Sequence, residues 1–366
     1  MSTTFDSTPA ADGYRMPAEW EPHSGCWMAW PQRHDNWRER AGPAQRAFAA
    51  VAAAIAESEP VTVAAAPSQV ERARELLPSA VRVVELATDD AWMRDIGPTF
   101  LLDGAGGVGR RGVDWRFNAW GGLYEHWERD EATAQRVLEI EGDGRYRAPL
   151  VLEGGSIHVD GEGTVLTTEE CLLNPNRNPD LDRAEIERLL CEFLGASTVI
   201  WLGRGLPNDE TDGHVDNLAC FVAPGVVLLT HTEDRDDELY EVCADARRRL
   251  EAARDARGRR LEVIPIHAPG RLEIEPREAA GVSSAAGTLP RRAGERMAAS
   301  YVNFYPANGR VVFPLLDPAR DERAAAVLGE CFPGREVVGV PGREILLGGG
   351  NVHCITQQVP RTPPIV

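Results

Sequence analysis

The sequence predicts an α/β fold built from a repeated small module, and three observations carry that prediction. Helix-type and strand-type stretches alternate along the chain, glycine-led segments containing a histidine recur, and no low-complexity linker divides the sequence. At 366 residues the chain exceeds the usual size of one simple core, which leaves two domains or one repeat-built domain. Alanine and straight side chains make AQRAFAAVAAAIAE (44–57) a helix, and PVTVAAA (60–66) follows as a strand. VERARELL (70–77) then VRVVEL (81–86), and RAEIERLLCEFLG (183–195) then STVIWLG (197–203), repeat the helix-then-strand order. VVLLTH (226–231), ELYEVCADARRRLEAARDA (238–256) and RRLEVIPI (259–266) add a strand, a helix and a strand.

The recurring segments are EGGSIHVD (153–160), TDGHVDNLACF (211–221) and GGGNVHCI (348–355), each with a histidine soon after glycine in a strand-like stretch. Their loose spacing suits a diverged module of roughly 50 to 70 residues, hence a pseudo-symmetric array. GAGGVG (104–109) matches a dinucleotide fingerprint, but no helical pattern follows it, so it reads as a hairpin turn. The Pro, Gly and Ser content of 269–292 marks a long surface loop or lid, and RRRLEAARDARGRR (247–260) reads as a solvated helix face.

Composition removes several classes of function. All 39 basic residues are arginine, so neither a P-loop lysine nor Schiff-base chemistry, pyridoxal phosphate included, is available. A formal charge of -18 repels nucleic acid and suits a small cationic ligand. No apolar run approaches the roughly 18 residues needed to span a bilayer, and the first residues lack the pattern of a secretory signal. Seven scattered cysteines without a CxxC pair fit a reducing cytoplasm. With no HExxH and no Cys/His cluster, no metal and no cofactor are expected.

Among single residues, Cys354 stands out because Gly348, Gly349 and Gly350 precede it, a run that marks a bend or a close approach of ligand to main chain. The other cysteines read as small buried hydrophobes. His214 and Asp216, two apart, would share one face of a strand as proton carrier and acceptor, although an exposed polar strand end fits the same pattern. Asp209, Glu210 and Asp212 crowd negative charge that water or a cationic ligand must neutralise. Asp95 in WMRDIGP and Glu153 in VLEGGS are acids at strand ends, where turn and capping roles are the ordinary ones. The nine tryptophans are packing residues individually, and a few can wall a cationic site.

Taken together, MPAEWEPHSGCWMAWP, WMRDIGP, FNAWGG, EGGSIHVDG, LLNPNRNP, NDETDGHVDNL, ASYVNFY and GREILLGGGNVHCITQQ resemble the agmatine deiminase family, over residues 14 to 361. The resemblance implies a pentein-like, five-bladed α/β propeller of ββαβ modules, with 1–13 as a flexible segment and 14–366 as one catalytic domain. It further implies Cys354 as nucleophile, His214 as general acid/base, Glu153 as the carboxylate orienting His214, and Asp95 with Asp216 as the pair gripping a guanidinium. Glu210 and Trp92 are the expected partners of the distal ammonium of agmatine. The implied partner is that small guanidino substrate, in a cytoplasmic enzyme of polyamine synthesis, with a homodimer as default assembly. After FNAWGG the loop LYEHWERDE is a few residues shorter than the family pattern, which leaves peptidyl-arginine or another guanidino compound as the alternative substrate. An inactive propeller serving as a binding module would require loss of a central residue, and all five are present.

Overall fold

The computed structural model describes residues 3–107, 109–283, 285 and 288–363. The predicted elements form close to their expected limits: helices Gly42–Ala56, Val70–Leu76, Arg183–Leu194 and Leu239–Ala252, and strands Val61–Ala65, Arg82–Glu85, Thr198–Leu202, Val226–His231 and Glu262–His267. Helix Arg183–Leu194 starts on a reciprocal cap between Asp182 and Glu185 and stops at Gly195, in the left-handed conformation. The GAGGVG segment joins the antiparallel strands Thr99–Asp103 and Arg110–Arg116, as a hairpin should; its Val108 lies outside the described residues.

The strands form five sheets, and all five contain the same unit. An antiparallel pair is followed by a helix, and a third strand then returns parallel to the second. Thus His158–Val159 pairs antiparallel with Thr164–Thr168, helix Arg183–Leu194 follows, and Thr198–Leu202 lies parallel. Ala219–Ala223 with Val226–His231 and Glu262–His267, and Tyr305–Pro306 with Arg310–Leu315 and Glu336–Pro341, repeat the order around helices Leu239–Ala252 and Asp321–Cys331. One unit is assembled from distant parts of the chain. Thr356–Pro360 pairs antiparallel with His23–Ala29, which lies parallel to Val61–Ala65.

Helices bury apolar stripes against these sheets. Phe48, Val51, Ala52 and Ile55 share a cluster with Val61 and Val63, and Leu239, Val242, Ala246 and Leu250 share one with Val227 and Leu229. The segment expected to be flexible is tied down from Thr3 onward. Thr4–Phe5 adds a parallel strand to Gly144–Val151, Ala10 N–H donates to Glu192, and Asp12 accepts from Arg111 and Tyr146. Those backbone and charge-assisted bonds are what composition near a chain end does not reveal. No helix among the described residues is long and apolar enough to cross a membrane.

Candidate active site

The chemistry-bearing side chains come from turns just outside the strands. Asp95 sits in the one-turn helix Met93–Ile96, Glu153 precedes the 3-10 turn Gly154–Ser156, and His214 leads into the 3-10 turn Val215–Asn217 that holds Asp216. Asn303 precedes Tyr305–Pro306, and Cys354 lies between helix Arg343–Leu346 and strand Thr356–Pro360. A cavity of about 380 Å³ brings Asp95, His214 and Cys354 together, walled by Trp92, Trp120 and Gly348–Gly350.

Each of these groups is buried and held. Cys354 Sγ accepts from the Asn303 amide at 3.1 Å and points its own hydrogen at Asp216 Oδ2, 3.4 Å away. His214 Nε2 lies 3.4 Å from Glu153 Oε2, and its Nδ1 lies 3.9 Å from Asp95 Oδ1. Glu153 is pinned from the other side by Arg177 Nε at 2.9 Å, and the Arg177 side chain is fully buried. Asp95 accepts from the Trp120 indole and from Gly155 N–H, both at 2.9 Å. Ala119 and Trp120 both adopt left-handed backbone geometry next to that contact. Asp216 Oδ1 is buried and has no partner among the described residues.

Gly155 explains how so many groups converge. A Cβ there would lie 2.6 Å from His214 Nδ1, 2.8 Å from Asp216 Oδ2 and 3.0 Å from Asp95 Oδ1. Two carboxylate oxygens and an imidazole nitrogen therefore surround the space that any larger residue would fill.

The field within the site is uneven. Burial pushes the Cys354 thiol well above its ordinary range, and the Asp216 and Asp95 carboxylates add to the effect. Burial likewise raises Asp95 to about 6, with Asp216 reinforcing it and His214 opposing it. Burial would also raise Glu153, but Arg177 and His214 outweigh it and hold that acid at about 2. Burial depresses His214, yet Asp95, Cys171 and Glu153 more than reverse this, so the imidazolium persists well above its usual range. The resting site thus carries a neutral thiol beside a protonated histidine. One ligand atom each of Glu153, Cys171 and His214 lies within 4.8 Å of the others, a spacing that suits a metal, but Arg177 already supplies the cation on Glu153.

The Porphyromonas-type peptidyl-arginine deiminase family model matches residues 15–360. An agmatine deiminase of Pseudomonas aeruginosa (strain LESB58) is 58% identical over 360 residues, 97% of each chain. The chain belongs to the agmatine deiminase family. The agmatine deiminase of Enterococcus faecalis, a solved structure, superimposes with a TM-score of 0.96 at 44% identity, over 99% of this chain and 100% of that one. The C. jejuni agmatine deiminase gives a TM-score of 0.80 at 25% identity, over 96% of this chain and 97% of that one.

In this family member the structure brings all five expected central residues, Cys354, His214, Glu153, Asp95 and Asp216, into one cluster, and Trp92 lines the cavity with its ring against Trp37. Two readings of the sequence need correction. His214 and Asp216 do not share the face of a strand, because the chain makes a 3-10 turn before Ala219–Ala223 begins. Nor do Asp209 and Asp212 await a ligand's charge, and one oxygen of Glu210 is already matched. Arg177 binds Asp212, Thr211 and Asn217 donate to Asp209, and Arg291 from the 269–292 loop pairs with Glu210 Oε1. Glu210 still lines the cavity. The short loop after FNAWGG contributes Leu123 and Tyr124 to the same wall.

Sequence reasoning missed Arg177, Asn303, Gly155 and Cys171. Arg177 stands within NPNRNP and Asn303 within SYVNFY, and a polar residue in such a stretch is the only local hint either gives. Cys171, taken for packing, lies with its Sγ 3.9 Å from Glu153 Oε2.

Proposed function

We propose that this chain is an agmatine deiminase, hydrolysing agmatine to N-carbamoylputrescine and ammonia through a covalent thiouronium on Cys354. The observation that carries the reading is the buried pair Asp95 and Asp216 beside a buried thiol, with Asp216 Oδ1 left bare. A guanidinium is a planar fork of N–H donors, so two carboxylates grip its edges and hold its carbon over sulfur. Its positive charge offsets the two acids that keep the thiol protonated, and the thiol then loses its proton to solvent water. Sulfur adds to the guanidinium carbon, and His214 gives its proton to the departing nitrogen, which leaves as ammonia. His214, now neutral and steadied by Glu153, takes a proton from water, and the resulting hydroxide adds to the thiouronium carbon and expels sulfur, which takes up the hydroxyl proton as the ureido carbonyl forms. Glu210 Oε2 and the face of Trp92 are assigned to the distal ammonium.

Glu210 and the rings of Trp92, Trp120 and Tyr124 in the cavity lining suit the distal ammonium of agmatine. The five sheets, each containing the same three-strand unit, support five blades standing around this site within one domain spanning 14–366. Seven unpaired cysteines suit a reducing cytoplasm, and a homodimer, checked by light scattering, completes the proposal. The decisive experiment is a colorimetric ureido assay after dialysis against chelator, with agmatine, arginine and a blocked arginyl peptide in parallel. Colour with agmatine alone is expected. Colour only with another guanidine overturns the substrate, and no colour with any overturns the reaction.

The pH profile tests the grip. In the free enzyme Asp95 takes up a proton near pH 6 and loses its charge, so kcat/KM for agmatine falls as pH drops through about 6 and is sustained above it. Bound guanidinium favours the carboxylate, so kcat holds to lower pH. A kcat/KM that stays flat well below that value would remove Asp95 from the grip.

A further inference from the structure

Three buried charged side chains that are not part of the reaction described above, Arg94, Glu19 and His353, run in single file to Asp216. Arg94 Nη1 donates to Glu19 Oε1 at 3.1 Å, His353 Nε2 meets Glu19 Oε2 at 2.9 Å, and His353 Nδ1 meets Asp216 Oδ2 at 2.9 Å. None of these side chains is more than 4% exposed. Both ring nitrogens of His353 face carboxylate oxygens, so both must donate, and a ring with two donors is the imidazolium. The file therefore alternates in sign, Arg94 positive, Glu19 negative, His353 positive, Asp216 negative, and a guanidinium would be its fifth member. His158 also approaches Glu19, at 3.6 Å, and its Nδ1 accepts from Phe221 N–H.

The same side chains fasten the two segments that carry the chemistry. Arg94 N–H donates to the Cys354 carbonyl and Arg94 Nε to the His353 carbonyl, so the neighbours of Asp95 and Cys354 are joined. Asp216 Oδ2 also receives the Cys354 thiol hydrogen. When that hydrogen leaves, a thiolate faces a carboxylate, and the proton shared from His353 is what holds Oδ2 in place against the repulsion.

We infer that Glu19 and His353 are positioning residues for guanidinium capture: His353 clamps Asp216 by Oδ2, leaving Oδ1 for the substrate, and Glu19 keeps His353 charged. The inference rests on the deiminase reading, and the test separates the two. Agmatine, a cation at its reacting end, is compared with N-carbamoylputrescine, neutral at that end and identical at the distal ammonium. Binding is measured by calorimetry in a Cys354→Ser background carrying Glu19→Gln, His353→Gln or His353→Asn. Glu19→Gln and His353→Gln should weaken agmatine by about tenfold or more and the ureido compound by less than about threefold. His353→Asn, whose amide replaces the Nδ1 donor, should recover part of the loss. In the Cys354 enzyme the same changes should raise KM more than they lower kcat. Equal weakening of both ligands, or unchanged agmatine binding in folded Glu19→Gln protein, would overturn the inference. If His353→Gln does not fold, Glu19→Gln, the same size as the residue it replaces, carries the test alone. Lack of turnover by the unmodified enzyme would instead remove the deiminase reading itself.

Discussion

Cys354→Ser should lose ureido-product formation by about 10⁴-fold or more while agmatine still binds. A serine hydroxyl ionises far less readily than a thiol, and even the thiol here is held protonated until substrate charge arrives. Burial and the two acids that raise the thiol would act on the hydroxyl as well, so no nucleophile forms. Binding should survive because the proposed grip is that of Asp95 and Asp216, and serine can still accept from Asn303. Turnover by the ureido assay and affinity by calorimetry give the two numbers. Turnover within about tenfold of the unmodified enzyme would end the nucleophile assignment.

The other large effect comes from one methyl group. Gly155→Ala should lower kcat/KM by about 100-fold or more, with little change in melting temperature. Gly155 is not in the left-handed region, so the backbone tolerates alanine, and the damage falls on His214, Asp216 and Asp95, whose atoms would lie 2.6–3.0 Å from the new carbon. These groups must move apart, and a displacement of roughly 1 Å is enough to spoil attack geometry. Gly309→Ala is the control, since the nearest atom to its added carbon is Ser58 Cβ at 3.6 Å. Near-normal kinetics in Gly155→Ala would mean that the functional groups do not meet around this glycine.

How far the sequence could be read depended on the range over which each property is set. Helix 42–56 and strand 61–65 follow from local periodicity, and their predicted limits differ from the structure by a residue or two. The repeating unit was visible too, although the GHV and GNVHC stretches read as strands because strand-forming residues surround them, whereas the chain turns there. Cys354 was legible from its glycines. The acids were not: Asp95 and Glu153 look like ordinary turn residues until Trp120, Arg177 and His214 are placed beside them. Arg291 and Glu210 are 81 residues apart, and His353 and Glu19 are 334 apart. No local pattern reports a pairing over such separations, so the groups that set charge within the site were the hardest to foresee.

The strand Thr356–Pro360, which completes the sheet begun by His23–Ala29, has a consequence for how the protein is made. On the ribosome, the early strands His23–Ala29, Val61–Ala65 and Arg82–Glu85 emerge with one edge unpaired and wait for a partner more than 300 residues downstream. Cys354 emerges only just ahead of that partner. A translation product broken off before this point therefore has neither Cys354 nor a complete first sheet, and offers a bare strand edge to chaperones or to other nascent chains.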